Sequence, residues 1–444
     1  MAELVLPSKE HLAWADCEIG VIIHQDMQVY QPGWHWKSRK NVYRHDYPPA
    51  SVFNPSNLDT DQWLEAARDL GAKYAILVAK HCSGLTLWPT AAHEYNISNT
   101  PWRNGKGDIV RDFVRSCEKY GIRPGVYASC GNNVFLGVHY GQLAGGYDAE
   151  KWKEYCRKLT LQLRELWSNY GELFEVWFDG GLPAFEDGGR EILEMLQKLQ
   201  PHCIAFQGNP DYNPCIRWCG NEDGFALYPC RATVNELSDQ GNPAEFQFSE
   251  CFFGNPSGKY WAPCECDTPN RDRNIHSYGG WFWQPGEDYS VLSTEEMLNR
   301  YFNTVGHNSN LLVGMPIDDR GLLPDADFRQ FQAVGNAIRA QTMTPRGSVS
   351  GEGTAFEIAV PDGAPVNRIC IMEDIAYGER ILYFVVYGFD GEHWHTLTFG
   401  KSVGHKFLAR IPEVRYLKYA LEIRNFKEPH IPKIREFSLW HSGK

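Results

Sequence analysis

Long apolar runs are missing from this sequence: no uninterrupted stretch reaches the length that spans a bilayer, so no membrane-crossing helix is expected. The first ten residues, Met1 to Glu10, also lack a basic segment followed by an apolar one, so no signal peptide is visible. A cytoplasmic location is the expectation, although a secreted chain trimmed of its leader would look the same. Positive charge is in deficit, with 43 Lys and Arg against 55 Asp and Glu and a formal net charge of −12. Nucleic acid and anionic membrane surfaces are therefore not the expected partners. Regular cysteine spacing is absent as well. The 13 cysteines are odd in number, and neither Cys215–Cys219 nor Cys264-Glu265-Cys266 has the doubled CxxC pattern of a zinc site. Buried, reduced thiols are expected, with no metal and no cofactor. No internal repeat or low-complexity tract stands out. What the chain does have is size and aromatics: 444 residues, 43% hydrophobic, with 15 Trp and 22 Tyr. That length fits one large α/β barrel with a small companion, and the aromatics suit either sugar-stacking surfaces or core.

The first half alternates between strand and helix. Ile19–Ile23, Tyr74–Ala79, Pro124–Ala128, the stretch ending at Phe178 and Cys203–Phe206 are apolar runs of strand length. Between them, Asp59 to Leu70, Asp108 to Tyr120, Asp148 to Tyr170 and Arg190 to Leu199 carry helical periodicity, with Asp59 as an N-cap and Gly71 and Gly121 as stops. A polar residue recurs at or just after each strand: His24, His81, Tyr127, Asp179 and Gln207. In a parallel barrel those strand ends converge on one face, the face on which such folds place their chemistry. A single His or Asp there is readily explained as a cap or a satisfied core group; five in the same phase are not.

Regularity fades from Ile216 to Trp283, a region rich in acids. There Phe246–Phe253 reads as a strand containing Glu250, and Gly279–Trp283 as a short aromatic run. Order returns with a helix from Ser293 to Thr304, opened by a Ser293/Glu296 capping box, a strand over Asn310–Met315 and a helix from Asp325 to Gln341. The catalytic domain is placed at residues 1–342. Gly347–Gly353 reads as a linker, and residues 343–444 as an antiparallel β-sandwich that braces the barrel.

Paired carboxylates at converging strand ends are the equipment of a glycosidase. Asp179, between a buried strand and Gly180-Gly181, is the candidate nucleophile. Glu222, on a glycine-flanked loop, is the first choice for its acid/base partner, with Glu265 and Glu250 as alternatives.

The ordered motifs resemble the α-L-fucosidases of glycoside hydrolase family 29 over essentially the whole chain. They are Val21–His24, Phe53-Asn54-Pro55, Asp61-Gln62-Trp63, Ala79 to Thr90, Gly125 to Ser129, Trp177-Phe178-Asp179-Gly180, Gly220-Asn221-Glu222, Glu265-Cys266-Asp267, Gly280 to Trp283, Asn303–Pro316 and, in the tail, Met372 to Ile375 and Gly378 to Arg380. The Gly220-Asn221-Glu222 loop looks like that of the α-1,3/4-cleaving subfamily. The resemblance implies a TIM barrel followed by a β-sandwich, and a retaining, exo-acting enzyme that removes terminal fucose from oligosaccharides. It implies Asp179 as nucleophile and Glu222 as acid/base. His24, His81, Tyr127, Trp177 and Glu265 would bind substrate, with Trp283 as an apolar wall for the sugar's methyl group. Three positions depart from the family pattern. Cys82 and Ser83 stand where a second His and an Asp are usual. Ala128 replaces an aromatic. No Glu-Trp pair occurs within Tyr30–Pro49, where Trp34, Trp36 or His45 would have to substitute. The alternatives are a glycosidase acting on a fucose-like sugar such as an α-L-galactoside, and a carbohydrate-binding protein without turnover.

Overall fold

A computed structural model describes residues 4–38, 46–235 and 248–443. Eight parallel strands close into a barrel. In chain order they are β1 (Ile19–His24), β2 (Tyr74–Lys80), β3 (Arg123–Ala128), β4 (Glu175–Trp177), β5 (Ile204–Phe206), β6 (Cys215–Trp218), β7 (Cys264–Pro269) and β8 (Ser309–Pro316). Closure comes from β1 pairing with β8 in the register Ile19 opposite Leu311 through His24 opposite Pro316.

Helices pack outside. Before β1 lies α1 (Lys9–Ala15), and between successive strands run α2 (Thr60–Leu70), α3 (Ile109–Tyr120), α4 (Ala149–Asn169) and α5 (Gly189–Leu199). After β7 and β8 come α6 (Thr294–Thr304) and α7 (Asp325–Ala340). The capping residues act as their chemistry requires. Asp59 accepts from the backbone N–H groups of Asp61 and Gln62, and the Ser293/Glu296 box closes reciprocally. Gly71 ends α2 in the left-handed region at φ 102°.

Two cores result. One lies between strands and helices, built on residues such as Leu64, Phe113, Leu163 and Phe331. The other fills the barrel with Ile22, Tyr74, Ile76, Tyr127, Trp177, Phe206 and Leu312. Gly20 makes room for this filling: a Cβ there would sit 2.3 Å from Cζ of Tyr74. Two acids are buried in the same interior. Tyr74 donates to Oε1 of Glu265 at 2.6 Å, Trp177 Nε1 donates to Oε2 of Glu265 at 2.9 Å, and Trp14 Nε1 donates to Oε2 of Glu175 at 3.1 Å. Burial raises the proton affinity of both carboxyls, and for Glu175 the charge of Glu265 adds to it.

Three expectations are corrected. The run Phe246–Phe253 is not a strand: its described part, Phe248–Phe253, is a helix, from which Glu250 receives Asn235 and Asn255 at its carboxylate. Strands β6 and β7 lie inside the stretch that reads as irregular, because β7 is Cys-Glu-Cys-Asp-Thr-Pro and two acids interrupt any apolar pattern. Gly347–Gly353 is not a linker: all of it but Gly353 lies within the strand Thr344–Glu352. Register shifts occur at Pro345/Gly347 and Val349/Gly351, beside two of these glycines.

The strands from Thr344 to His441 form two four-stranded antiparallel sheets around Ile369, Phe384, Leu421 and Phe437. They hold the barrel's lower edge by polar contacts. His405 and Arg435 meet Asp16 at 2.9 and 2.6 Å, Lys406 pairs with Glu18, and the buried Glu379 accepts from the backbone of Ala232 and from Asn308.

Candidate active site

At the C-terminal mouth of the barrel lies a cavity of about 620 Å³, counted with its opening. Asp179 stands on one wall. Phe178 N–H continues the ladder to Phe206 carbonyl, and the turn from Phe178 to Gly181 closes with a 2.9 Å backbone bond. Gly180 takes φ 76° there, a conformation few other residues adopt without strain. This turn lifts the Asp179 carboxylate out of the strand, and Tyr127 donates to its Oδ2 at 2.7 Å. Burial and the Asp179 charge both hold the Tyr127 phenol protonated, so it remains a donor.

His24, at the end of β1, lines the same cavity and donates from Nδ1 to Ile22 carbonyl at 3.3 Å. Burial, reinforced by His81 nearby, pushes its pKa down to about 3. It is thus a neutral imidazole whose Nε2 is an acceptor. His81 donates from Nδ1 to Asp26 Oδ2 at 3.0 Å. Asp26 also accepts the Ser83 hydroxyl and, at 3.3 Å, the Ser83 N–H. The acid that the Cys82-Ser83 pair lacks therefore comes from the loop after β1, and Ser83 helps to hold it. Cys82 is not in the cavity lining. It is buried 3.7 Å from His81 Nε2, and burial keeps its thiol protonated. Trp177 forms part of the floor and stacks on Phe206 at 3.6 Å and 6°.

Another part of the wall holds Glu222, half-exposed on the loop after β6. Trp281 Nε1 donates to its Oε2 at 3.3 Å, and the Arg273 guanidinium lies 3.7 Å away. Asp267 joins it from β7. It is buried, accepts Trp218 Nε1 at 2.7 Å, and is pushed toward its protonated form by burial and by the Glu222 charge. The rim is aromatic, with His35, Trp36 and Tyr278 in ring contact.

Of the expected site residues, His24, His81, Tyr127, Trp177, Asp179 and Glu222 share this cavity. Trp283 does not line it; the preceding Trp281 and Phe282 do, with ring centroids 4.9 and 5.2 Å from His24. Glu265 is not at the surface of the cavity either. Both its oxygens are occupied inside the barrel by Tyr74 and Trp177, so it supports the floor without facing the sugar space. Gln207 also lies outside the lining. Among the substitutes for the missing Glu-Trp pair, Trp36 lines the cavity and Trp34 is tied to Asp46 carbonyl at 2.8 Å, while His45 falls outside the described residues. Asp26 and Asp267 are the polar groups the strand-end pattern missed. Asp26 lies two residues beyond His24, and Asp267 sits inside a strand that its own acids conceal. Among the described residues, no group of three or more His, Cys, Asp or Glu is arranged to hold a metal ion, and no helix is long and apolar enough to cross a membrane.

Known proteins resemble this chain over most of its length. The α-L-fucosidase family model matches residues 7–342. Alpha-L-fucosidase 1 of Arabidopsis thaliana is 29% identical, covering 94% of this chain and 85% of its own. A solved Bacteroides thetaiotaomicron protein assigned to the α-L-fucosidases is 31% identical with a TM-score of 0.90, covering 99% of this chain and 100% of its own. A Ruminococcus gnavus family 29 fucosidase solved with fucose has the same fold, with a TM-score of 0.81 at 22% identity, covering 100% of this chain and 96% of its own. A barrel mouth lined by both carboxylates, joined to a family match over three-quarters of the chain, leads to one assignment: the chain belongs to the α-L-fucosidase family of glycoside hydrolases, family 29.

Proposed function

We propose that the protein is a retaining, exo-acting α-L-fucosidase that releases terminal fucose from oligosaccharides or glycoconjugates, with α-1,3 and α-1,4 linkages as its main substrates. The observation that carries this reading is the pairing of Asp179 and Glu222 in one cavity, each in a different electrostatic setting. In the first step the Asp179 carboxylate attacks the anomeric carbon. The bond to the leaving oxygen breaks, its electron pair goes to that oxygen, and Glu222 supplies the proton. Water then attacks the glycosyl ester, its proton passes to Glu222, and Asp179 leaves as carboxylate. His24 and His81 are oriented to hydrogen-bond sugar hydroxyls: His24 Nε2 accepts, while Asp26 fixes the tautomer of His81. Trp281 and Phe282 offer apolar surface to the sugar's methyl group.

The test is a panel of aryl α-L-fucosides, aryl α-L-galactosides and α-1,2-, α-1,3-, α-1,4- and α-1,6-fucosylated oligosaccharides, with the anomer of the first-formed product read by NMR. Turnover of fucosides with α-fucose released first is expected, with the α-1,3 and α-1,4 substrates fastest. Release of β-fucose first would overturn the retaining mechanism, and inertness on every fucoside would overturn the activity.

A further inference from the structure

The acid wall holds two carboxyls where the reaction needs one proton. Asp267 lies on β7 and Glu222 on the loop after β6, and both line the cavity. They are tied together through the backbone: Gly224 N–H, two residues beyond Glu222, donates to Asp267 carbonyl at 3.1 Å. Thr268 packs under that glycine, so close that a Cβ on Gly224 would sit 2.9 Å from it. Trp218 fixes Asp267 Oδ1 from behind, and Trp281 fixes Glu222 Oε2 from the front. The backbone segments that carry the two carboxyls are therefore joined.

We propose that Asp267 is a positioning residue for the proton of Glu222: the two carboxyls act as one diacid that keeps a single proton available for the leaving oxygen. This rests on Glu222 being the acid/base. Asp267 breaks no bond itself. Two carboxylates held together in one cavity cannot both ionise at low cost, so the second proton of the pair leaves at a higher pH than it would from Glu222 alone. Glu222 is 41% exposed in its side chain, with the Arg273 guanidinium 3.7 Å away, whereas Asp267 is buried. Desolvation and the Glu222 charge both raise the proton affinity of Asp267, in the direction this requires. The other groups facing the pair are Asp223 and Arg273 beside Glu222, Arg300 against Thr268, and Glu265 and the Cys219 thiol near Asp267. Asp179, Tyr127, His24, His81 and Lys37 lie around the remaining cavity wall. Among these, the acids reinforce retention of a proton and the two arginines oppose it.

Glu222 O–H passes its proton to the glycosidic oxygen as that oxygen takes the electron pair of the breaking bond. The pair is then a dianion until the proton of the incoming water restores it.

The experiment compares wild type, Asp267→Asn and Trp218→Phe on two fucosides: one with a strongly acidic phenol, such as 2-chloro-4-nitrophenol, and one with a sugar alcohol as leaving group. kcat/KM is followed from pH 4 to 9, and fucose binding is measured by calorimetry. For Asp267→Asn the alkaline limb on the alcohol substrate is expected to move down by about one pH unit. Above that limb the rate falls about tenfold, and the ratio of alcohol to phenol turnover falls with it, while fucose still binds. Trp218→Phe removes the donor that favours ionised Asp267, so its limb is expected to move up. An unshifted limb in both variants, equal losses on both substrates, or loss of fucose binding in Asp267→Asn would overturn the proposal. Inertness of the wild type on both fucosides would instead overturn the activity on which it rests, so the two failures are distinguishable.

Discussion

The two walls of the cavity are built differently. The Asp179 wall comes from strand ends. Tyr127, His24 and the Asp179 turn sit on or just beyond β3, β1 and β4, and the side-chain contacts are short: 2.7 Å from Tyr127 to Asp179 and 3.0 Å from His81 to Asp26. The Glu222 wall mounts its exposed acid on a loop, with Asp267 of β7 beside it. Its acid is half-exposed and its hydrogen bond from Trp281 is 3.3 Å long. The difference suits the roles proposed for the two acids. A nucleophile must meet one carbon in one direction, and a misplacement of an ångström is costly. An acid/base must serve two steps and accommodate different leaving groups, so a loop is the better mount.

The hardest way to break this comparison is Asp179→Ala. Turnover of any fucoside should fall by about four orders of magnitude, while fucose binding by calorimetry persists. If activity stays within tenfold of wild type, Asp179 is not the nucleophile. Glu222→Gln should act selectively: a loss of about 10²- to 10⁴-fold on alcohol leaving groups, a much smaller one on acidic phenols, and disappearance of the alkaline limb. Equal losses on both substrate types would place the wall's role elsewhere. Asp26→Asn sharpens the rigid side. Removing a charged partner of His81 should raise KM about 10- to 100-fold with a smaller change in kcat, measured by initial rates. A change confined to kcat would mean that His81 acts only in the transition state.

The smallest effect lies beneath both walls. Glu175 and Glu265 hold their protons more tightly in the folded chain than at the ordinary glutamate value of 4.5, because burial penalises the charge. The folded state therefore binds protons that the unfolded chain releases, and stability falls as pH rises above 4.5 toward the raised folded values. Glu175→Gln removes one proton from that balance. The difference in unfolding free energy between variant and wild type should grow with pH by at most about 1.4 kcal/mol per unit, measured by denaturant titration. A pH-independent difference would show that the pair does not share a proton.

How much of this was legible in the sequence follows the same division. Where strands are apolar and end in one polar residue, as with Val21–His24 and Val176–Asp179, pattern alone located both the element and its functional group. The mouth became illegible where function invades the strand. The two acids of β7 erase its apolar signature, and the β6-to-β7 excursion has no period to read. Trp283 and Trp281 are indistinguishable by spacing, since which indole turns inward depends on the path of a glycine-led loop. Glu265 was placed in the site by the family motif Glu265-Cys266-Asp267, not by strand direction. In the barrel it points inward toward Tyr74 and Trp177, a direction set by strand register. Asp26 escaped notice because its partner, His81, lies 55 residues away.

One consequence follows from the N-terminal helix. Trp14 of α1 grips Glu175, Glu175 meets Glu265, and Glu265 grips the indole of Trp177, the floor of the sugar cavity. Asp16, at the foot of the same helix, is held by His405 and Arg435 of the sandwich. A tie rod thus runs from the β-sandwich along the barrel axis to the sugar, and a change made at the far end of the molecule has a material route to the place where the substrate rests.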